Sequence, residues 1–257
     1  PKFLEWLIKI KREGRECWVH YKDDETIGAL LIYKIENEPI PSIPPLPSNR
    51  RFKICTLKVT YNGYKIGELF IKLLIDYCIK NDIFEIYLTH YTKEEDILVE
   101  LISEYGFFKE ATMRDGEEVF IKKLLPIKDI LDQSSHEQID ERYYPIFYDG
   151  KDVRKFVLPI YPSYHGRFFP DFLPRQLMLQ ESCGSFIVEG NAIKKAYISH
   201  SKIKGVKEGD IVLFYCLRPT KKITSIGVVE AVYSGVKDSE QIMKLVAKRT
   251  VYSPKEI

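Results

Sequence analysis

The stretch KVTYNGYKIGELFIKLLIDYCIKN, Lys58–Asn81, constrains the fold more than any other part of the chain. It reads as the end of a strand, a tight glycine-containing turn, and then an amphipathic helix from Glu68 to Lys80. Leu69, Phe70, Leu73, Leu74 and Tyr77 recur at helical spacing and make one apolar face. A strand, a glycine turn and a helix in this order leave a row of backbone N–H groups at the helix N-terminus. Such a row suits an anion, phosphate above all. Gly63 and Gly67 allow the backbone to approach a ligand, and Lys58 and Lys65 add positive charge. The same pattern also occurs as nothing more than a turn entering a helix.

The elements on either side predict a mixed sheet. A helix over Lys2–Lys11 leads into ECWVHYKDDETIGALLIYKI, two apolar runs about the turn Lys22–Glu25, an antiparallel hairpin. The loop NEPIPSIPPLPSNR is too proline-rich for a helix or a central strand; it is an excursion between strands or a polyproline ligand for a partner. Beyond the Lys58–Asn81 unit come the strand IFEIYLTHY, the helix KEEDILVELISEY closed by Gly106, and a last hairpin turning at Asp115–Gly116. The order α-β-β-β-α-β-α-β-β is that of an α+β fold. The flanking antiparallel hairpins set it apart from a dinucleotide-binding sheet, and GKS/T, which a P-loop requires, is absent.

Thr89, His90 and Tyr91 end the strand that follows the helix. Histidine is the side chain whose intrinsic pKa suits a base at neutral pH, and His90 equally suits a satisfied loop histidine. Glu94, Glu95 and Asp96 suit a solvated first helical turn, or the docking of a cationic substrate.

The turn and its surroundings resemble the Gcn5-related N-acetyltransferases, in which a strand ends in an R/Q-x-x-G-x-G/A turn. Asn62, Gly63, Tyr64, Lys65, Ile66 and Gly67 stand at that turn here, and ISEYGF, Ile102–Phe107, resembles the family's second signature. The resemblance covers most of residues 2–124 and implies acetyl-CoA as cofactor. It implies a diphosphate at the turn and a pantetheine arm paired with the strand near Leu57 and Val59. That arm would lie in a V-shaped opening whose second wall is IYLTHY. Three departures stand out. Asn62 replaces the family's Arg or Gln. Lys65 replaces a glycine and is expected to keep a negative φ, its ammonium then reaching a phosphate. Ile102 stands where many members carry the tyrosine that protonates the departing thiolate, and RFKICTLKV offers no carboxylate as base. His90 as base and Tyr105 as substitute acid are the catalytic candidates, Tyr105 reading equally as a core aromatic. Direct attack of an amine on a thioester needs no nucleophile from the chain.

With 257 residues, 45% of them apolar, the chain is long enough for two ordinary domains. Residues 1–124 are expected as the transferase domain and 125–144, polar after Leu131, as a linker. The rest, 145–257, changes to short β-rich runs such as KFVLPI, GSFIVEG, DIVLFYCL and SIGVVEAVY, a pattern for a small β-barrel. KEGD, Lys207–Asp210, reads as a turn launching a buried strand. Lys194, Lys195, His200, Ser201 and Lys202 gather with Tyr197 ahead of it, and YPSYHGRFFPD supplies Tyr164, His165, Arg167 and Phe168. Basic residues among aromatics form a footprint for RNA or DNA, or else a solvated lysine-rich face. The run around SKIKGVKEGDIVLFY resembles the EVE and ASCH domains of the PUA-like superfamily, which implies binding of RNA or a modified base near Tyr197, Ser199, His200 and Ser201.

A net charge of +2 with 30% charged residues makes no whole-chain case for nucleic acid. Five cysteines without a CxxC pair predict buried thiols in a reducing cytoplasm, with no disulfide framework or metal site. No apolar run is long enough to span a bilayer. The chain opens directly in a helix and stops just past a turn, so further segments are expected on either side. The overall expectation is an acetyl-CoA-dependent N-acetyltransferase joined to a nucleic-acid-directed domain, or a binding protein built on a degenerate transferase scaffold.

Overall fold

The computed structural model describes residues 2–60, 63, 65–126, 135–172, 192–199, 205–246, 249–253 and 255–257. The chain divides into two compact units, Pro1–Ile146 and Phe147–Ile257.

The first unit runs α1 (Lys2–Arg12), β1 (Glu16–Tyr21), β2 (Ile27–Glu36), β3 (Ser42–Ile43), β4 (Arg51–Val59), α2 (Ile66–Lys80), β5 (Glu85–His90), α3 (Ile97–Ser103), β6 (Phe108–Met113), β7 (Glu118–Lys123) and α4 (His136–Tyr143). Its strands form one seven-stranded mixed sheet in the order β1-β2-β4-β5-β7-β6-β3, flanked by helices. The predicted order of elements is present. The proline-rich loop adds β3, which pairs antiparallel with β6 at the far edge. Edge position is where prolines are tolerated, because no second neighbour needs their missing N–H.

Alternation along the strands sorts the two faces. On one, the rings of Tyr33 and Phe52 stack with centroids 4.6 Å apart, and Tyr77 of α2 meets both edge-on at 5.7 and 5.8 Å. On the other, Tyr87, Ala111, Val119 and Ile121 pack against Ile40 from the proline-rich loop. The buried stripe of α2 runs through Ile66, Phe70, Ile71, Leu74, Ile75 and Cys78. It is rotated from the expected face, since Leu73 is 42% exposed. A helix this apolar offers two stripes, and only packing selects between them.

Residues 125–144, expected as a linker, contain α4, which belongs to the first unit. Ser135 and Gln138 form a reciprocal capping box, and Ile139 and Tyr143 are buried. Arg142 lies over the Phe108 ring and pairs with Glu110 at 3.2 Å. The fully buried Lys122 of β7 donates from Nζ to the Arg142 carbonyl at 3.3 Å. Gly106, at φ +78°, passes so close beneath α4 that a Cβ would lie 2.5 Å from that carbonyl oxygen. Four apolar or capping contacts in a polar stretch suffice to dock this helix, and composition alone conceals them.

The second unit contains β8 (Lys155–Ile160), α5 (Pro162–Phe168), a 3-10 turn (Pro170–Phe172), β9 (Ile211–Cys216), β10 (Lys222–Val228) and α6 (Ser239–Val246). The described strands make a three-stranded sheet, β10-β9-β8, with no closed barrel among the described residues. β8 and β9 run parallel, so the two are not joined as a hairpin. The expected strand GSFIVEG lies outside the described residues. Ile160, Phe168, Val212, Phe214 and Val251 form the core. The KEGD turn launches β9 as expected: Asp210 accepts the Lys207 amide at 2.7 Å and is clamped by Arg154 through Nε and Nη2, at 3.1 and 2.7 Å.

Candidate functional site

The parallel pairing of β4 with β5 is short. It covers Arg51–Glu85, Phe52–Ile86 and Lys53–Tyr87 and goes no further. From Ile54 to Val59, β4 pairs only with β2, and from Leu88 to His90, β5 pairs only with β7. The facing backbone edges therefore part into an opening. Its cause lies in the β2–β4 register, where Ile32 opposes Thr56 while Tyr33 opposes Ile54. Cys55 is thus an extra residue, a bulge that bends β4 away from its parallel neighbour. At the closed end, Arg51 pairs with Glu85 at 2.7 Å and donates to the Pro47 carbonyl at 2.9 Å, while Lys53 lies over the Tyr87 ring. Leu57 and Val59 sit on the parted stretch of β4, both half-buried, with Lys58 exposed between them.

The chain then turns through Gly63, at φ +85°, into α2. Lys65 is the N-cap residue at φ 54°, a left-handed conformation, and it supplies no side-chain cap. The expectation of a negative φ at Lys65 is corrected here: the turn must reverse before α2 begins, and Lys65 occupies the reversing position despite its Cβ. Its ammonium is not free for a phosphate as expected, because Nζ pairs with the buried Glu68 carboxylate at 3.0 Å. Lysine has no acceptor with which to cap a helix, so the first turn of α2, starting at Ile66, presents its N–H groups without a side-chain cap. Gly67 serves packing: a Cβ there would lie 2.7 Å from the Leu101 side chain of α3. Asn62 and Tyr64 lie outside the described residues.

His90 ends β5 at the edge of the opening, and its Nε2 lies 2.7 Å from Asp96 Oδ2. Asp96 also caps α3, accepting from the amides of Leu98 and Val99 at 3.0 and 3.2 Å. The hydrogen bond from His90, reinforced by amides of Val99 and Lys93, holds the Asp96 carboxyl down near 2 against the opposing effect of burial. Sequence reading placed Asp96 in a solvated first turn and missed its role as partner. The available signal was its position immediately before an apolar helical run. Glu118, paired with His90 across β5 and β7, is lowered by Lys109 and Thr92. Tyr105 is 2% exposed and Ile102 fully buried, so both are core residues of the α3–β6 turn. The acid role expected of Tyr105 finds no exposed hydroxyl to perform it.

In the second unit, two of the cations expected to face phosphates, Lys194 and Lys195, are engaged with protein. Lys194 pairs with Glu230 at 2.6 Å. Lys195 donates to the Ala192 carbonyl at 2.8 Å and lies over the rings of Phe168 and Phe169. Arg167 is exposed on α5. His165 is buried, its Nε2 2.6 Å from Thr224 Oγ1, and burial lowers its pKa. His200, Ser201 and Lys202 lie outside the described residues. Tyr164, Tyr197 and Ser199 line a cavity of about 300 Å³ together with Tyr161, Tyr252 and Glu256.

No protein-family model matches this chain, and no curated protein matches it. Solved structures resemble part of it. A NatC complex bound to Gag peptide and CoA is matched over 42% of this chain and 71% of that one, at 19% identity and a TM-score of 0.34. Arabidopsis thaliana Naa50 in complex with the bisubstrate analogue CoA-Ac-MVNAL is matched over 42% and 72%, at 23% identity and a TM-score of 0.34. A GNAT-family acetyltransferase from Listeria monocytogenes is matched over 42% of this chain and 64% of its own, at 16% identity and a TM-score of 0.34.

Proposed function

We propose that the first unit transfers an acetyl group from acetyl-CoA to an amine. One observation carries the reading: β4 and β5 part at the Cys55 bulge beside a helix N-terminus that has no side-chain cap. The parted edge of β4 near Leu57 and Val59 offers backbone groups to the amides of a pantetheine arm. The first amides of α2, which no side chain caps, offer donors to a diphosphate. Bound there, acetyl-CoA would supply an activated thioester that an amine attacks directly. His90 is the residue to take the amine's proton: with Nε2–H donated to Asp96, Nδ1 keeps its lone pair as acceptor. Asp96 fixes the tautomer and stabilises the imidazolium once formed.

A second reading, a non-catalytic scaffold, is favoured by a specific observation. The Glu68 carboxylate sits in the first turn of α2, where negative charge opposes a diphosphate, Ile102 supplies no acid and the β4 side chains no carboxylate. The second unit enters the proposal without a nucleic-acid role, since Lys194 and Lys195 are already engaged.

Calorimetric titration of the full chain with acetyl-CoA tests the proposal. Saturable binding followed by release of free thiol with an amine acceptor supports it. Binding without turnover on any amine removes catalysis, and no binding at millimolar ligand overturns the transferase reading and leaves the scaffold.

A further inference from the structure

The cavity of the second unit has a chemistry separate from the opening in the first. Four tyrosines, Tyr161, Tyr164, Tyr197 and Tyr252, line it together with Pro159, Ile160 and Ile198, and Ser199 and Glu256 are its polar members. The Tyr164 and Tyr252 rings lie 4.8 Å apart between centroids, inclined by 42°. Two hydroxyls are committed to protein acceptors, Tyr197 to the Pro159 carbonyl at 3.0 Å and Tyr164 to Glu256 Oε1 at 2.8 Å. Those bonds hold the rings in place and leave the hydroxyls little to donate to a guest.

Glu256 is the charged member. Its Oε2 accepts from the Ser253 amide at 2.8 Å and from the Ser253 hydroxyl at 2.6 Å, while Oε1 accepts from Tyr164. The Ser253 hydroxyl above all, then its amide and the Tyr164 hydroxyl, hold the carboxyl near 2; Arg167 acts in the same direction as the weakest influence. The phenols of Tyr164 and Tyr252 are raised, the first by its bond to Glu256 and the second by burial, so both stay neutral. The cavity thus combines aromatic side chains with one carboxylate that hydrogen bonds hold in its ionised form.

The geometry points to a binding site for the head group of an organic cation, a methylated or quaternary ammonium. Aromatic rings attract such a group through their negative faces, and the carboxylate supplies the counter-charge. A neutral planar guest, such as a nucleobase, could stack on the same rings but would draw nothing from the carboxylate's charge. About 300 Å³ lies at the small end of ligand sites, which suits a head group better than an extended ligand. Lys194, held by Glu230, and Lys195, turned to Ala192 and the Phe168 ring, are already occupied by protein groups.

Titration of the full chain with tetramethylammonium, followed by tyrosine fluorescence and by calorimetry, tests the assignment. Neutral tert-butanol, of similar shape, and adenosine serve as comparison probes. Saturable binding of tetramethylammonium is expected, with a preference over tert-butanol of about tenfold. Glu256→Gln keeps an acceptor for Tyr164 and is expected to erase most of that preference. Tyr252→Phe is expected to retain binding and Tyr252→Leu to lose it, which keeps the test decisive even if the Glu256 variant fails to fold. Equal affinity for tert-butanol, binding of adenosine alone, or no saturable binding at tens of millimolar overturns the assignment.

Discussion

Asp96 joins two duties that chain order separates: through Oδ1 it caps α3 at Leu98 and Val99, and through Oδ2 it holds His90 Nε2 at 2.7 Å. The strand that walls the opening and the helix that follows it are thereby locked by one carboxylate.

Asp96→Asn and Asp96→Ala separate those duties. Asparagine caps a helix about as well as aspartate but loses the charged partner of His90, so Asp96→Asn is expected to melt a few degrees below the parent and Asp96→Ala, which also loses the cap, lower still. Both lose the anion that stabilises imidazolium, so acetyl transfer falls by about tenfold or more and its pH profile moves. The carboxyl of Asp96 is depressed from its ordinary 3.8 to about 2 in the folded chain. Its contribution to stability is therefore present above 3.8 and lost as pH falls toward 2. Acid unfolding of Asp96→Asn, followed by circular dichroism, should lack that component. An unaltered rate in Asp96→Asn would remove His90 as the base.

Lys122 has 0% exposure, and burial brings its ammonium down to about 7 from an ordinary 10.5. Between those values the unfolded chain binds more protons than the folded one, so stability should rise as pH increases from about 7 to about 10.5. Below 7 the cost of burying the cation is fully present. Lys122→Met should raise stability at pH 6 by about 1–4 kcal/mol and flatten that rise, as read from urea unfolding at pH 6 and 9. A variant less stable at both pH values would show that the bond to the Arg142 carbonyl outweighs desolvation.

Two glycines should respond oppositely to alanine. Gly106, at φ +78° with carbonyl oxygens of Arg142 and Glu141 at 2.5 and 2.6 Å from an added Cβ, has no room to yield. Gly106→Ala should cost at least about 2 kcal/mol. At Gly67 the added Cβ meets only the end of a flexible leucine at 2.7 Å, inside a helix that favours alanine. Gly67→Ala should fall within about 1 kcal/mol of the parent in the same denaturation series.

Glu68→Gln removes negative charge from the first turn of α2 and releases the Lys65 ammonium held at 3.0 Å. Acetyl-CoA binding should tighten by about three- to tenfold and become more sensitive to salt. Calorimetry at two ionic strengths reads both effects, and unchanged affinity would place the diphosphate elsewhere.

Much of the first unit is legible in the sequence because its signals are local. The strand–turn–helix around Gly63, the helix stop at Gly106 and the hairpin at Asp115–Gly116 each follow from a few adjacent residues. The loop prolines likewise excluded a central strand, and β3 indeed lies at the edge. The opening was expected only through a family likeness, and the residue that causes it, Cys55, carries no local mark. A bulge exists only relative to a partner strand, here the step between Ile32 and Tyr33.

The same distinction holds for the sites. Chain order alone determined that a helix N-terminus follows a glycine turn after β4, since φ, ψ and hydrogen-bond demands are set within a few residues. Only tertiary structure decided that Lys65 would be tied to Glu68, that Asp96 would meet His90, and that Tyr164, Tyr197, Tyr252 and Glu256 would enclose one cavity. Those relations depend on the register of strands and the packing of distant segments, which no window of adjacent residues contains.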